Sequence, residues 1–308
     1  MIALLHTGAS VSAGQFTVHV STVIGIIGLA ALYERGARIE TPRPAQRFCY
    51  YAALVTMFFA LNGWLHDLSD YYLFSAHMVQ HLLLAFAVAP LMIMGTPGGM
   101  LRPALALRVV GPLARWATTP IRCFAIFNVV VAGWHLPPMY NYALAHHDVH
   151  IVQHLMFLAA SVLMWWPVLS PLPELPRLNY PGQMLYLFLL SIPMAIVAVY
   201  ISYADGLLYP MYASAPRIWG ITPMTDQLVG GLIMWIPGGF FFYTIISVVF
   251  FRWQQRGGVE SRAGAQVDWY DNRGRATGDR RRTMDNAGDG RLATSEPGVQ
   301  TTRRRSPT

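Results

Sequence analysis

Two pairs of histidines carry the strongest chemical signal in the sequence. His77 and His81 lie four positions apart, and His150 and His154 repeat that spacing. Residues at positions i and i+4 share one face of a helix, with Cβ atoms about 6 Å apart. Two imidazoles held in this way can bind one metal ion, and imidazole is a ligand for copper, zinc, iron and nickel. Because burying four unpartnered imidazoles in lipid is costly, the spacing predicts a shared metal or cofactor site.

The histidine pairs belong to an internal repeat. Residues 77–82 (HMVQHL) and 150–155 (HIVQHL) match at five of six positions. Each copy is preceded by a Gly-Trp segment that ends in a histidine, His66 in the first copy and His135 in the second. Repeated segments of this kind form similar structural units. We therefore add both terminal histidines to the candidate metal ligands.

Four further residues are candidates for a supporting role around the ion. Asp67 directly follows His66 and can orient an imidazole by accepting its second N–H group. Asp226 and Gln227 open a weaker third copy of the repeat, and Trp134 belongs to the second Gly-Trp segment. The chain has no glycine-rich nucleotide loop and no GxSxG or HExxH motif. The sequence therefore favours a protein that is not an enzyme.

The elements that must position these residues are membrane-spanning helices. Hydrophobic residues make up 54% of the chain and charged residues only 12%, which excludes an ordinary soluble domain. Apolar blocks of about 20 residues can cross the hydrocarbon core as helices, and continuous rather than alternating apolar residues exclude strands. Seven blocks qualify, at 16–33, 48–65, 73–94, 120–136, 149–170, 183–203 and 227–251. We predict an all-α integral membrane protein, a bundle of seven transmembrane helices with duplicated hairpins at 48–94 and 120–170.

The distribution of arginine predicts the orientation of the bundle. All 22 basic residues are arginine, and the loops after the first, third and fifth blocks hold far more of them than the loops on the other side. The positive-inside rule then places the N-terminus outside. We expect residues 1–256 to form the transmembrane domain and residues 257–308 to form a disordered, arginine-rich cytoplasmic tail. Residues 252–308 hold 12 arginines and seven acidic residues, which is +5 of the net charge of +7, so the basic charge does not indicate a nucleic-acid partner.

The depth of the histidines predicts the side of the membrane on which the site lies. On this topology every histidine falls outside the membrane or in the outer half of a span. The metal site is therefore expected near the outer face, which in a bacterial plasma membrane is the periplasmic side. Only neutral imidazole binds a metal ion, so we expect low pH to release it.

Four ordered motifs extend the pattern beyond the histidines. They are HMVQHLLLAFAVAPLMIMGTP at 77–97, GWHLPPMYNYAL at 133–144, HxxxHLxFLxxxxLMWWPVLSP at 150–171 and DQLVGGLIMWIPGG at 226–239. Together they resemble the CtaG family of cytochrome c oxidase assembly factors, in the form associated with the caa3-type oxidase. The resemblance covers most of 60–250 and does not include the tail.

The resemblance implies a multi-pass protein of the bacterial inner membrane that helps to assemble cytochrome c oxidase by delivering copper. The implied partners are oxidase subunits, a periplasmic copper carrier and the lipid bilayer. The family's histidine pairs correspond to His77, His81, His150 and His154. Its Trp-His motif corresponds to 134–135 and its Asp-Gln motif to 226–227.

Three alternative hypotheses remain open from the sequence alone. Paired histidines on two facing helices can hold b-type haem, which would indicate an electron-transfer protein. A copper permease would also bind the ion, although it needs polar residues that continue toward the inner side. A metal-dependent membrane oxidase uses clustered histidines as well. An optical spectrum and metal analysis of the purified protein distinguish these hypotheses.

Overall fold

The computed structural model describes residues 16–288, and it describes side chains for residues 16–256. All regular elements in this part of the chain are helices. Five helices are long and apolar enough to cross a membrane, and two bent helix pairs raise the number to seven if each pair forms one crossing. The chain is therefore an all-helical membrane protein with five to seven candidate spans. The seven-span arrangement and its orientation stay predictions.

The first half of the bundle contains four helices that lead to the first histidine pair. Their bounds are Val20–Ala37 for α1, Pro44–Leu61 for α2, Gly63–Tyr71 for α3 and Phe74–Gly95 for α4. A bend of 43° separates α2 from α3. It occurs where Gly63 takes a φ of 66°, a left-handed conformation that only glycine adopts without strain. The bend carries the end of the first Gly-Trp segment across the bundle.

Helix α4 contains a π-helical segment, Leu83–Val88, directly after the first histidine pair. In a π-turn the carbonyl of Ala85 would accept from the N–H of residue 90, but Pro90 has none. The indole Nε1 of Trp165 donates to this carbonyl at 2.7 Å instead. Within the π-helical segment, Pro90 thus leaves a carbonyl free to accept the hydrogen bond that joins α4 to the helix of the second histidine pair.

The second half of the chain supplies the remaining helices. Their bounds are Gly98–Leu105 for α5, Val110–Ala117 for α6, Pro120–His135 for α7, Pro137–Ala145 for α8, His147–Leu169 for α9, Tyr180–Ser202 for α10 and Pro223–Gly288 for α11. Helix α9 packs against both α4 and α7, and α4 also packs against α2. Helices α4 and α9, which carry the two histidine pairs, are therefore direct neighbours.

The C-terminal region separates into its own unit, 252–308, while 1–251 forms the other unit. Helix α11 runs to Gly288, so residues 257–288 have helical backbone where the sequence predicted disorder. No proline lies between Pro237 and Pro297, and an uninterrupted run of backbone donors lets the helix continue. Residues 289–308 of the predicted disordered tail lie outside the described part of the chain.

Candidate metal centre

The two histidine pairs face each other across the contact between α4 and α9. Within the pairs, the ring centroids of His77 and His81 are 4.2 Å apart and those of His150 and His154 are 4.4 Å apart. Across the contact, the centroid of His77 lies 5.6 Å from that of His150 and 5.8 Å from that of His154. The centroid of His81 lies 5.5 Å from that of His154. The four rings therefore form one cluster, which we call the inner centre.

These separations match the dimensions of a shared metal ion. Imidazole nitrogen binds first-row metals at about 2.0–2.1 Å, so a ring centroid lies about 3.2 Å from the ion and two rings on one ion are at most about 6.5 Å apart. Every distance between the two pairs given above is shorter than this limit. The centroid distances therefore permit a shared ion, but the rings of His81 and His154 would have to turn, because among the described residues their nitrogens do not lie within 4.8 Å of the group formed by Asp70, His77 and His150.

The inner centre leaves buried nitrogen atoms without hydrogen-bond partners. His77, His81 and His154 are 0%, 3% and 8% exposed. Neither ring nitrogen of these three residues has a hydrogen-bond partner among the described residues. A buried polar group that loses its hydrogen bond costs about 1–3 kcal/mol. Coordination to a metal ion would satisfy one nitrogen on each ring and remove part of this cost.

A carboxylate from α3 lies next to the inner centre. The Oδ2 atom of Asp70 is 3.5 Å from Nδ1 of His150 and 3.4 Å from Nε2 of His66. One Asp70 oxygen and one nitrogen each of His77 and His150 all lie within 4.8 Å of one another. Asp70 can therefore either bind the ion or orient the His150 ring by accepting its N–H group.

The sequence analysis assigned this supporting role to Asp67, and the structure gives that residue a different environment. Asp67 accepts a hydrogen bond from Thr17 Oγ1, whereas Asp70 faces the histidines. The reason is helical geometry, because Asp70 follows His66 by four positions and shares its face while Asp67 points elsewhere. The i+4 spacing from a candidate histidine is the sequence signal that would have identified Asp70.

A buried hydrogen-bond network orients His66, so neither of its ring nitrogens offers a free lone pair to the inner centre. The Nε2 amide of Gln80 donates to the carbonyl of Ala60 at 2.8 Å and to Nδ1 of His66 at 3.0 Å. Ser69 Oγ donates to the Oε1 atom of Gln80 at 3.0 Å. Since Nδ1 of His66 accepts, its Nε2 carries the proton and points toward Asp70. In this arrangement His66 positions Asp70, although its sequence pattern predicted a metal ligand.

His135 has the opposite arrangement. Its Nδ1 donates to the carbonyl of Val131 at 2.7 Å, so Nε2 keeps its lone pair. This atom is buried and has no hydrogen-bond partner within the described part of the chain. The ring centroid of His135 is 5.9 Å from that of His81, and Phe157 stacks on His81 at 4.2 Å. The Nε2 atom of His135 could therefore serve as an additional metal ligand, on the side of the inner centre that the Phe157 ring covers.

Asp226 and Gln227 position the helices around the site. The carboxylate of Asp226 accepts from the backbone N–H of Phe74 at 2.6 Å and of Ser75 at 3.1 Å, which caps the first turn of α4. Gln227 accepts from the N–H of Leu208 at 2.7 Å and so holds the loop after α10. Trp134, the remaining candidate, is buried in the hydrophobic core at 7% exposure.

Buried tyrosines close the centre on the α8 side. The ring of Tyr140 lies 5.1 Å from that of His77, and its hydroxyl shares a 2.9 Å hydrogen bond with the hydroxyl of Tyr212. Burial raises the pKa of both Tyr140 and Tyr212 well above the ordinary value for tyrosine because it disfavours the phenolate. Both hydroxyls therefore stay protonated at neutral pH and serve as hydrogen-bonding groups rather than as anionic metal ligands.

Two histidines outside the predicted set lie beside the inner centre. A cavity of about 340 Å³ is lined by His19 and His147 together with His66, His150 and His154. The ring of His19 lies 4.4 Å from that of His66. Burial, with a smaller contribution from His66, lowers the pKa of His19 to about 4, so this ring is neutral at neutral pH. The sequence analysis did not select either residue, because the sequence favours a polar position at the membrane interface for His19 and a solvated loop for His147.

Comparisons with known proteins identify the family that the motifs resemble. The model of the family described as cytochrome c oxidase caa3 assembly factor matches residues 26–256. Uncharacterised proteins of Mycobacterium bovis and Mycobacterium tuberculosis are each 26% identical over 184 residues, which is 53% of this chain and 27% of the relative's length. The chain thus spans about a quarter of these longer relatives. No solved structure matches it. The family match covers most of the chain, and the chain therefore belongs to the cytochrome c oxidase caa3 assembly factor family.

Proposed function

We propose that the protein binds copper at the inner centre and passes it to cytochrome c oxidase during assembly. The observation that carries this proposal is the convergence of four imidazoles from α4 and α9, three of which have no hydrogen-bond partner for either nitrogen in the described region. His135 and Asp70 complete the donor set. His66 supports Asp70 through its Nε2–H group.

The donor set favours copper over other metals. It consists of imidazole nitrogens with one carboxylate, and imidazole binds copper, zinc and iron. The two cysteines, Cys49 and Cys123, are free thiols, and Cys123 donates to the carbonyl of Ala117 rather than lying among the histidines. Among divalent first-row ions, copper binds nitrogen donors most tightly. An oxidase assembly factor with such a centre would supply copper to its oxidase.

The number of donors favours transfer over permanent storage. Five imidazoles and one carboxylate exceed the four ligands of a closed structural site. An ion can then exchange between overlapping ligand sets without losing all of its ligands at once. This property is needed by a carrier that must give up its cargo to an oxidase subunit. A location on the periplasmic side of the bacterial inner membrane is part of the proposal, and the arginine asymmetry of the loops supports it.

The geometry gives less support to haem and to a permease. A haem between α4 and α9 would need a planar space between facing histidines, but the four rings already pack together, and the adjacent cavity is lined by His150 and His154 without His77 or His81. Past the inner centre, α4 buries apolar side chains such as Leu84 and Val88. A polar pathway for a permease does not continue along this helix.

Metal analysis of the purified protein tests the proposal. We expect the full-length protein in detergent to bind Cu(I) or Cu(II), and the His77→Ala/His81→Ala double variant to lose the ion of the inner centre. His146→Ala is the matched control, since this ring is exposed and its Nδ1 bonds only the carbonyl of Tyr142. Unchanged copper stoichiometry in the double variant would defeat the assignment. A Soret band in the optical spectrum would favour haem instead.

A further inference from the structure

His19 and His147 form a second pair of imidazoles at the edge of the inner centre. His19 precedes the first residue of α1, and His147 is the first residue of α9. His147 is exposed and His19 is partly exposed, whereas His150 and His154 are buried. All four line the same cavity of about 340 Å³. The cavity therefore connects histidines near the surface with histidines of the inner centre.

The spacing of this outer pair suits a two-coordinate ion. The ring centroids of His19 and His147 are 6.3 Å apart, and their planes differ by 31°. Two imidazoles on opposite sides of one ion have centroids about 6.5 Å apart when the metal–nitrogen distance is about 2.0–2.1 Å. Linear coordination by two nitrogens is a common geometry for Cu(I), because its filled d shell imposes no preference for more ligands. The outer pair thus has the dimensions of a linear bis-imidazole site.

Two buried polar atoms, one of them in the outer pair, have no hydrogen-bond partner that would compensate for their burial. The Nε2 atom of His19 has no hydrogen-bond partner among the residues that the structure describes. The Oδ2 atom of Asp67 is likewise buried and without a partner there, while the other carboxylate oxygen of Asp67 accepts from Thr17, two positions before His19. A carboxylate oxygen buried without a donor is costly, and a nearby cation offsets that cost.

We propose that His19 and His147 form an outer copper site that loads the inner centre through the shared cavity. The proposal rests on the proposed function, since it needs an inner centre that accepts copper. His66 lies between the two sites, but both of its nitrogens are engaged by Gln80 and Asp70. The ion therefore moves from the outer pair to His150 and His154, which line the cavity, and exchanges one imidazole for another. No change of oxidation state is involved.

Anaerobic titration of full-length protein with the bicinchoninate complex of Cu(I) tests the outer site. We expect two classes of bound copper in the wild type. His19→Ala/His147→Ala should lose one class and load the inner centre about 10- to 100-fold more slowly, comparable to the loss of supporting groups at other metal sites. His146→Ala should behave as the wild type. Equal stoichiometry and equal loading rates in wild type and outer-pair variant would overturn the proposal.

Footprinting of the wild type gives a second measurement that requires no variant to fold. His146 and His147 are adjacent and both exposed, so diethylpyrocarbonate should modify both in the metal-free protein. Cu(I) in excess of the inner centre should protect His147 and leave His146 reactive. Equal reactivity of the two at saturating Cu(I) would refute the outer site. If the wild type binds no copper, the proposed function fails. If His77→Ala/His81→Ala loses copper but His19→Ala/His147→Ala binds as much as the wild type, only the outer site is refuted.

Discussion

The carboxylate of Asp226 should control both the stability of α4 and the affinity of the inner centre. It lies 152 positions from Phe74 in the chain, is 2% exposed and accepts from the first two N–H groups of α4 at 2.6 and 3.1 Å. The first histidine of the inner centre, His77, lies within the turn that this cap holds. Loss of the cap should therefore loosen one wall of the metal centre.

Asp226→Asn tests this role with a minimal change of shape. The asparagine oxygen can replace one acceptor, but its NH₂ group then faces the other backbone N–H, so one charged hydrogen bond is lost. Such a bond contributes about 1.5–3 kcal/mol, which corresponds to a roughly 10- to 100-fold lower ratio of folded to unfolded protein. We also expect weaker copper binding, because His77 would occupy its position for less of the time.

Unfolding in mixed micelles with increasing sodium dodecyl sulfate, together with Cu(I) titration, provides the measurements. Asp205→Asn is the matched control, since it makes the same chemical change at an exposed carboxylate in the loop before α11. The control should unfold like the wild type. If Asp226→Asn and Asp205→Asn gave the same unfolding midpoint and the same copper affinity, the cap would not be what holds the first turn of α4.

Three further predictions concern the residues around the ion. Asp70→Asn should weaken copper binding by about 10- to 100-fold, measured by competition with bicinchoninate, while Asp148→Asn at an exposed site should not. Gln80→Leu should lower stability by about 1–3 kcal/mol for each buried group left without a partner, measured by unfolding in mixed micelles. Gln153→Leu should be nearly neutral, because neither amide atom of buried Gln153 has a hydrogen-bond partner in the described residues; a large loss there would contradict the argument. Dialysis against acidic buffer should remove copper, and return to neutral pH with copper should restore it, because protons compete for the ligand nitrogens.

Local periodicity was sufficient to predict the apolar helices and the two histidine pairs. The pairs are recognisable because i, i+4 spacing is a property of one helix and needs no knowledge of its neighbours. The same rule would also have identified Asp70, since it follows His66 by four positions. The family match over 26–256 confirms the resemblance that the four motifs predicted.

The roles that depend on contacts between distant segments could not be predicted in this way. Asp226 was selected as a neighbour of the ion, but it acts on the backbone of α4 from the last helix. The rings near His19 come from α3 and α9. The spacing of residues within the first helix cannot predict these contacts. In both cases the relevant distance is between residues that are far apart in the chain, and only the packing of the bundle determines it.

The two copies of the repeat have different hydrogen-bond environments in the structure, although the sequence predicted equivalent roles for them. Gln80 and Gln153 occupy the same place in the motif, yet Gln80 bonds His66, Ser69 and a backbone carbonyl while Gln153 has no described partner. As a result, both ring nitrogens of His66 have polar neighbours, whereas Nε2 of His135 has no hydrogen-bond partner in the described residues. The proposed metal centre would therefore use the terminal histidines of the two copies differently.

This difference makes the two sides of the metal centre unequal. On one side, His150 and His154 border the cavity that also reaches the more exposed His19 and His147. On the other side, His81 and His135 are buried at 3% and 2% exposure and are covered by Phe157. An ion that arrives through the cavity meets His150 and His154 before it can reach His81 and His135. A centre with two identical copies would offer no such order, so under the copper-transfer proposal the divergence of the repeat would set the direction in which copper moves.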